Sequence, residues 1–225
     1  MLSIVSTPIG NLKDITIRAM DVLRSCSVIA CEDTRVTGQL LHLLELPKKE
    51  LISIHSYSDP ARVDALITRL KKGEHVCLVS DAGTPCISDP GYLLVSKARE
   101  AKLPVEVLPG ASAFMAALSA SGLPINKFRY HGFLPMKKGR KSLLASLATE
   151  EDTVVFYESP HRMEKTLSEL QEALGSQPQR RIAICRELTK FHEQVVVSSI
   201  AELEEAKSKL IVKGEFVLVV EGNRN

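Results

Sequence analysis

Three short polar loops carry the residue types that could bind a small molecule: Ser6-Thr7-Pro8-Ile9-Gly10-Asn11, Ser80-Asp81-Ala82-Gly83-Thr84-Pro85 and Pro109-Gly110-Ala111-Ser112-Ala113. Each follows an apolar run. Glycine and alanine let backbone come close to a ligand, and the hydroxyls of Thr84 and Ser112 offer adaptable hydrogen bonds. Asp81 can take a ribose hydroxyl or an ammonium group. The set suits a nucleoside carrying an amino acid. No two of the 12 glycines lie two residues apart, so GxGxxG is absent, and GxxxxGK[ST] is absent too. Nicotinamide, flavin and P-loop nucleotide sites of the usual kind are therefore disfavoured.

Loops of this kind work when strands hold them side by side, and open parallel sheets bind ligands at the carboxyl ends of their strands. Apolar, β-branched runs at 2–6, 27–30, 51–54, 76–80 and 105–108 predict five strands. Helix-period segments at 15–23, 37–44, 61–70 and 93–101 alternate with them, the third with Asp59 as N-cap and Pro60 at its first position. That alternation predicts a parallel sheet of βα units. A further helix at 112–120 stops at Gly122, with Pro124 beyond, which sets an expected domain boundary between 1–123 and 124–225.

In the second half, strands are predicted at 128–132, 153–157, 181–185, 194–198 and 215–220. Helices are predicted at 141–148, at 161–174 with Ser159 as cap and Pro160 in the first turn, and at 200–209, where Ser199 and Glu202 have capping-box spacing. The third and fourth of these strands are separated by too few residues for a helical crossover, so this sheet is expected to be mixed.

A chain of 225 residues with 44% hydrophobic and 25% charged residues reads as an ordinary globular protein. No apolar run approaches the roughly 18 residues needed to span a bilayer, and the start has neither a basic n-region nor a long h-region. A cytoplasmic protein without a membrane segment is expected. Five cysteines without CxxC, and six histidines without HxxxH or HxH spacing, predict reduced thiols and no metal site. The net charge is only +2, yet residues 127–141 carry six positive charges and no acid. From charge alone this basic patch, with Lys137, Lys138, Arg140 and Lys141 at its end, is either a nucleic-acid (RNA-binding) surface or a solvated surface loop.

The chain also contains Thr7 to Leu12 (TPIGNL), Cys31 to Arg35 (CEDTR), Ser80 to Gly91 (SDAGTPCISDPG), Phe156 to Arg162 (FYESPHR) and Arg186 to Lys190 (RELTK). In this order they resemble the signatures of the small-subunit ribosomal RNA methyltransferase I family, within the tetrapyrrole methylase superfamily. The resemblance runs from Met1 to about Gly222. It implies a two-domain α/β fold of the tetrapyrrole methylase type, with a parallel five-stranded N-terminal sheet, a mixed C-terminal sheet and the cofactor in the interdomain cleft. The implied activity is transfer of a methyl group from S-adenosylmethionine to the ribose 2′-hydroxyl of a cytidine in the decoding region of small-subunit (16S) rRNA, usually by a homodimer. The substrate is naked RNA or the assembled small ribosomal subunit. By motif, Pro8, Asp81, Ala82, Gly83, Thr84, Ile87, Ser112, Ala113, Phe156 and Tyr157 are expected to bind the cofactor.

A sulfonium methyl is a good electrophile, so such an enzyme mainly aligns the attacking oxygen and helps remove its proton. Glu187, Glu32 and Lys190 are the leading candidates for the second task, with Asp33 and Glu158 beside them; ion pairing with Arg35, Arg162 or Arg186 is the competing role. His161, at an expected helix start, would be kept neutral by the helix dipole and could accept a proton. Some family members continue into a further C-terminal helical segment, and any RNA grip it supplies would be missing from a chain ending at Asn225. Two other readings stay open: another methylase of the superfamily, acting on a tetrapyrrole or a protein side chain, and a non-catalytic rRNA-binding assembly factor.

Overall fold

The buried strands of the first unit are short runs of Leu, Ile, Val, Ala and Cys, which lose both faces to helices and so need no polar alternation. The computed structural model describes residues 1–55 and 60–224. The chain divides by packing into Met1–Ser112 and Ala113–Asn225. The first unit comprises β1 (Leu2–Val5), α1 (Ile17–Ser25), β2 (Val28–Cys31), α2 (Thr34–Leu43), β3 (Glu50–Ser53), α3 (Pro60–Lys71), β4 (Val76–Leu78), α4 (Tyr92–Glu100) and β5 (Val105–Leu108). Pro60 opens α3 as expected, whereas Asp59 lies outside the described residues.

All five strands are parallel, in the order β3-β2-β4-β1-β5. Alternation along each strand sends Leu2, Val28, Ala30, Val76 and Leu78 toward α3 and α4. Val5, Ile29, Cys31, Cys77 and Val79 pack on the other side with α1 and α2. Helix starts are fixed locally: Thr16 accepts the amide of Ala19 at 3.1 Å, and Asp33 accepts that of Arg35 at 2.8 Å. The strand order sets the site, because β1 lies between β4 and β5 and the loops leaving these three strands become neighbours.

The second unit comprises α5 (Ala113–Ala120), β6 (Phe128–Phe133), α6 (Arg140–Ser146), β7 (Thr153–Glu158), α7 (Pro160–Ala173), β8 (Arg181–Arg186), β9 (Gln194–Ser199), α8 (Leu203–Ser208) and β10 (Phe216–Val220). Its sheet has the order β6-β7-β10-β8-β9, with β6 and β7 parallel and the other pairs antiparallel, so it is mixed as expected. Val154, Phe156, Ile182, Ile184, Phe216 and Leu218 face a core with Leu144, Met163, Leu167 and Leu203. On the opposite face α5 packs against β7 and β10, which groups it with this unit although the sequence boundary was expected after it.

Two predicted caps work differently from expectation. Ser159 precedes α7 without a side-chain capping bond, and its amide instead donates to Glu158 Oε1 at 2.7 Å. Ser199 Oγ accepts the Glu202 amide at 3.3 Å and donates to the Glu202 carboxylate at 3.0 Å, yet α8 begins only at Leu203. No helix of the described residues is long and apolar enough to cross a membrane.

Candidate functional site

In the first unit, hydroxyl groups tie the three sequence-predicted loops into one knot. Just past β1, Thr7 and Gly83 exchange backbone hydrogen bonds of 2.9 and 3.1 Å, and Thr7 Oγ1 donates to the Ser80 carbonyl at 3.1 Å. Ser6 Oγ lies 3.0 Å from Thr84 Oγ1, which donates to the Ala111 carbonyl at 3.0 Å. Gly83 is at φ +89°, a conformation that favours glycine. At Gly110 a Cβ would sit 2.6 Å from that of Ser6, so only glycine allows the first and third loops to meet.

Four carboxylates of the same unit, Asp81, Asp33, Glu32 and Asp89, act on one another's charge. Asp81 is half-buried, and its Oδ1 accepts the amide of Asp33 at 3.1 Å. The Asp33 carboxylate is held by Arg35 at 2.6 Å, and the Arg35 side chain and amide keep it well below the usual carboxylate range. Glu32 is pushed upward by burial and by the Asp81 charge, with His55 acting against them. Asp89 rises to about 6 through burial and the nearby Glu32, and a Ser80 hydrogen bond offsets part of this. Asp89 is not among the expected site residues; its signal in the chain is a second aspartate, preceding Pro90, in the same loop as Asp81. Glu32 and Asp89 are thus the carboxylates here whose proton affinity is raised above the ordinary value. Among the described residues, no three His, Cys, Asp or Glu side chains are placed to hold a metal ion.

Pro8 and Gly83 are buried, Asp81, Thr84 and Ser112 half-buried, and Ala82 and Ile87 exposed, all in the first unit. Ala113 and Tyr157, both half-buried, belong to the second unit. Phe156 corrects the expectation: it is fully buried and points into the core with Met163 and Leu167, because successive strand residues face opposite ways. Its side chain is out of a ligand's reach, while Tyr157 lies on the other face.

Arg140 is a second correction. It is 3% exposed, and its guanidinium donates to Glu169 at 2.8 Å, Thr166 at 2.7 Å, the Pro135 carbonyl at 3.3 Å and Glu158 at 3.4 Å, so four of its five N–H donors are engaged inside the protein and the group is buried away from a phosphate. Glu158 is consumed by the same network: Arg162 meets it at 2.6 Å and Thr166 donates to it at 2.6 Å. A carboxylate so buried and so fully paired holds the start of α7 rather than taking protons from a substrate. Lys137, Lys138 and Lys141 are exposed, as is His161 in the first turn of α7.

Glu187 and Lys190 lie together on a loop whose Glu187 and Thr189 have positive φ. Lys190 Nζ bridges Glu187 at 3.0 Å and Glu215 at 2.9 Å, and the Glu215 amide donates to Glu187 at 2.8 Å. Burial alone would raise Glu187, but the Glu215 amide and Lys190 bring it below its ordinary value. Lys190 is lowered by burial and raised by its two carboxylates, with a net rise. Both stay ionised near neutral pH, which makes Glu187 a weak base and Lys190 a fixed positive charge.

Comparison with known proteins adds the following. Residues 1–204 match the family model described as Tetrapyrrole (Corrin/Porphyrin) Methylases. The chain is 46% identical to the ribosomal RNA small subunit methyltransferase I of Xylella fastidiosa, over 98% of this chain and 81% of that protein. It is 46% identical to the protein of that name from Vibrio cholerae, over 100% and 78%, and 43% identical to that of Bacillus subtilis, over 100% and 76%. Among solved structures, the methyltransferase CobJ superposes with a TM-score of 0.70 at 18% identity, covering 98% of this chain and 93% of that one. A Thermus thermophilus uroporphyrin-III C-methyltransferase, solved with S-adenosylhomocysteine, superposes with 0.63 at 18% identity, covering 98% and 96%.

Proposed function

The chain belongs to the tetrapyrrole (corrin/porphyrin) methylases, and from that premise we propose that it is an S-adenosylmethionine-dependent methyltransferase of small-subunit ribosomal RNA. The observation that carries this is the 43–46% identity, over nearly the whole chain, to relatives named for that activity. The acceptor we propose is the ribose 2′-hydroxyl of a cytidine in the decoding region, reached by a homodimer in the cytoplasm on small-subunit rRNA, free or in the assembled subunit.

The residues of the first unit fit the cofactor. The hydroxyls of Thr84 and Ser112, the small residues Ala82 and Gly83 and the half-buried carboxylate of Asp81 form its binding set, and the contact of Gly110 with Ser6 leaves no room for a side chain where the first and third loops meet. Asp81 and Thr84 would hold the nucleoside and amino-acid groups, with Ser112 as a further contact. S-adenosylmethionine, when bound, supplies a methyl group already activated by the sulfonium charge. What remains for the protein is alignment of the acceptor oxygen and care of its proton.

Glu32 suits the proton: its raised pKa makes it a stronger base than an ordinary carboxylate and a stronger one than Glu187. Lys190 is suited to charge stabilisation, since its two carboxylates keep it protonated. The deciding experiment incubates the protein with tritiated S-adenosylmethionine and unmodified small subunits, with free rRNA in parallel, and maps label by nuclease digestion. Label on a cytidine 2′-oxygen is the expected result. Cofactor binding without label in either RNA form would overturn the assignment.

A further inference from the structure

The chain has six phenylalanines, four tyrosines and no tryptophan, and five of these aromatic side chains form one ladder in the second unit. Phe114 of α5 stacks on Tyr130 with ring centroids 4.5 Å apart and meets Phe128 at 6.3 Å. Tyr130 sits edge-on to Tyr157 at 5.7 Å, and Tyr157 meets Phe133 at 5.3 Å. These rings are not a core: Phe128 is 38% and Phe133 59% exposed. Phe128, Tyr130 and Phe133 lie on β6, an edge strand of the sheet.

A backbone irregularity assembles the ladder. Strict alternation from Phe128 and Tyr130 would turn Phe133 to the opposite face. Instead Tyr130 pairs with Val155 and Phe133 with Tyr157, three steps on β6 against two on β7, with Gly132 at φ +62°. This bulge brings Phe133 onto the face of Tyr130 and beside Tyr157. The ladder is flanked in sequence by the acid-free stretch. Lys127, Lys137, Lys138 and Lys141 are exposed and, among the described residues, form no ion pair, whereas Arg129 is taken by Glu150 and Asp152.

We propose that this ladder is a stacking platform for single-stranded RNA, with Phe133 and Phe128 receiving bases and the flanking lysines receiving phosphates. Exposed rings beside unpaired cations match the two faces of a single strand, its unstacked bases and its charged backbone. A duplex offers no free base face to such a surface. The inference rests on the RNA methyltransferase reading and deepens it.

The test is fluorescence anisotropy with a labelled oligocytidine of about ten nucleotides and a duplex of equal length, across a salt series, alongside sedimentation equilibrium. Phe133→Leu and Phe128→Leu should each weaken single-strand binding about fivefold or more, leave duplex binding and the salt slope unchanged, and Phe133→Tyr should restore affinity. Unchanged single-strand affinity in both leucine variants overturns the platform. A leucine variant that dissociates a dimer without altering RNA affinity overturns it too, and identifies the face as a contact between copies. Methyl transfer to small subunits is measured in parallel. A wild-type protein that transfers methyl, with Phe133→Leu equal to it in oligonucleotide affinity and in KM, removes the platform and keeps the enzyme reading. A wild-type protein that shows the ring-dependent binding but transfers no methyl removes the reading and keeps the platform.

Discussion

Asp81 and Glu32 are neighbours in charge but divide the work at the residue scale. Replacing Asp81 with Ala should weaken S-adenosylmethionine binding about tenfold or more by calorimetry, the order expected for a lost hydrogen bond to a charged acceptor. Asp81→Asn preserves an oxygen for the Asp33 amide and separates that structural bond from the ligand contact. Unchanged affinity in both would remove Asp81 from the cofactor set. Glu32→Gln should lower kcat roughly 10²-fold or more while nearly sparing cofactor affinity. Glu32 must be deprotonated to act, so wild-type turnover should rise with pH through its raised pKa. That acid limb should vanish in Glu32→Gln; a wild-type limb retained by the variant assigns the proton elsewhere.

At the scale of elements, two features that resemble binding groups in sequence serve as joints. Gly110→Ala would force a Cβ to within 2.6 Å of Ser6 and so pry apart the loops after β1 and β5. We expect lower thermal stability together with weaker cofactor binding; a variant matching wild type in both would show that the knot tolerates separation. Arg140 anchors α6 to α7 through Thr166 and Glu169, and to the end of β7 through Glu158. Arg140→Ala leaves a buried carboxylate short of a partner, at a cost of about 3 kcal/mol or more. For a chain of this size that is a Tm loss of roughly 6–12 °C. Its RNA salt dependence should match wild type, whereas joint Lys137→Gln, Lys138→Gln and Lys141→Gln should flatten the salt slope at unchanged Tm. The reverse pattern would return Arg140 to the RNA surface.

For the whole molecule, burial of one acid predicts a pH dependence of stability. Asp89 binds its proton more tightly when folded, at about 6 against an ordinary 3.8. Its contribution is therefore fully present below about pH 4 and lost as the pH rises through about 6, because the folded state then has to ionise a half-buried acid. Asp89→Asn should raise Tm relative to wild type at pH 7.5 and change it little at pH 4. An equal shift at both pH values, in parallel thermal melts, would show that the effect is packing and not ionisation.

Much of this protein is local and was legible in the chain. Among the described residues the ten strands follow from apolar runs, α5 stops just before Gly122 with φ +63°, Pro60 and Pro160 open helices, and the hydroxyl-rich loops meet one another as their placement after strands suggests. Such signals depend on neighbours within a few positions, which is where strand and helix periods act. The tertiary structure decided what depends on distant partners. It placed β1 between β4 and β5, so that Ser6, Thr84 and Ala111 meet. It turned Phe156 into core and spent Arg140 on Glu158, an assignment no basic stretch can reveal because it rests on residues 18 and 26 positions away. It raised Asp89 by burial among acids from other segments, and through one extra residue in β6 it set Phe133 beside Tyr157. Residue types and local spacing determined the family of chemistry; burial and strand order, which only the folded chain possesses, determined which side chains are free to perform it.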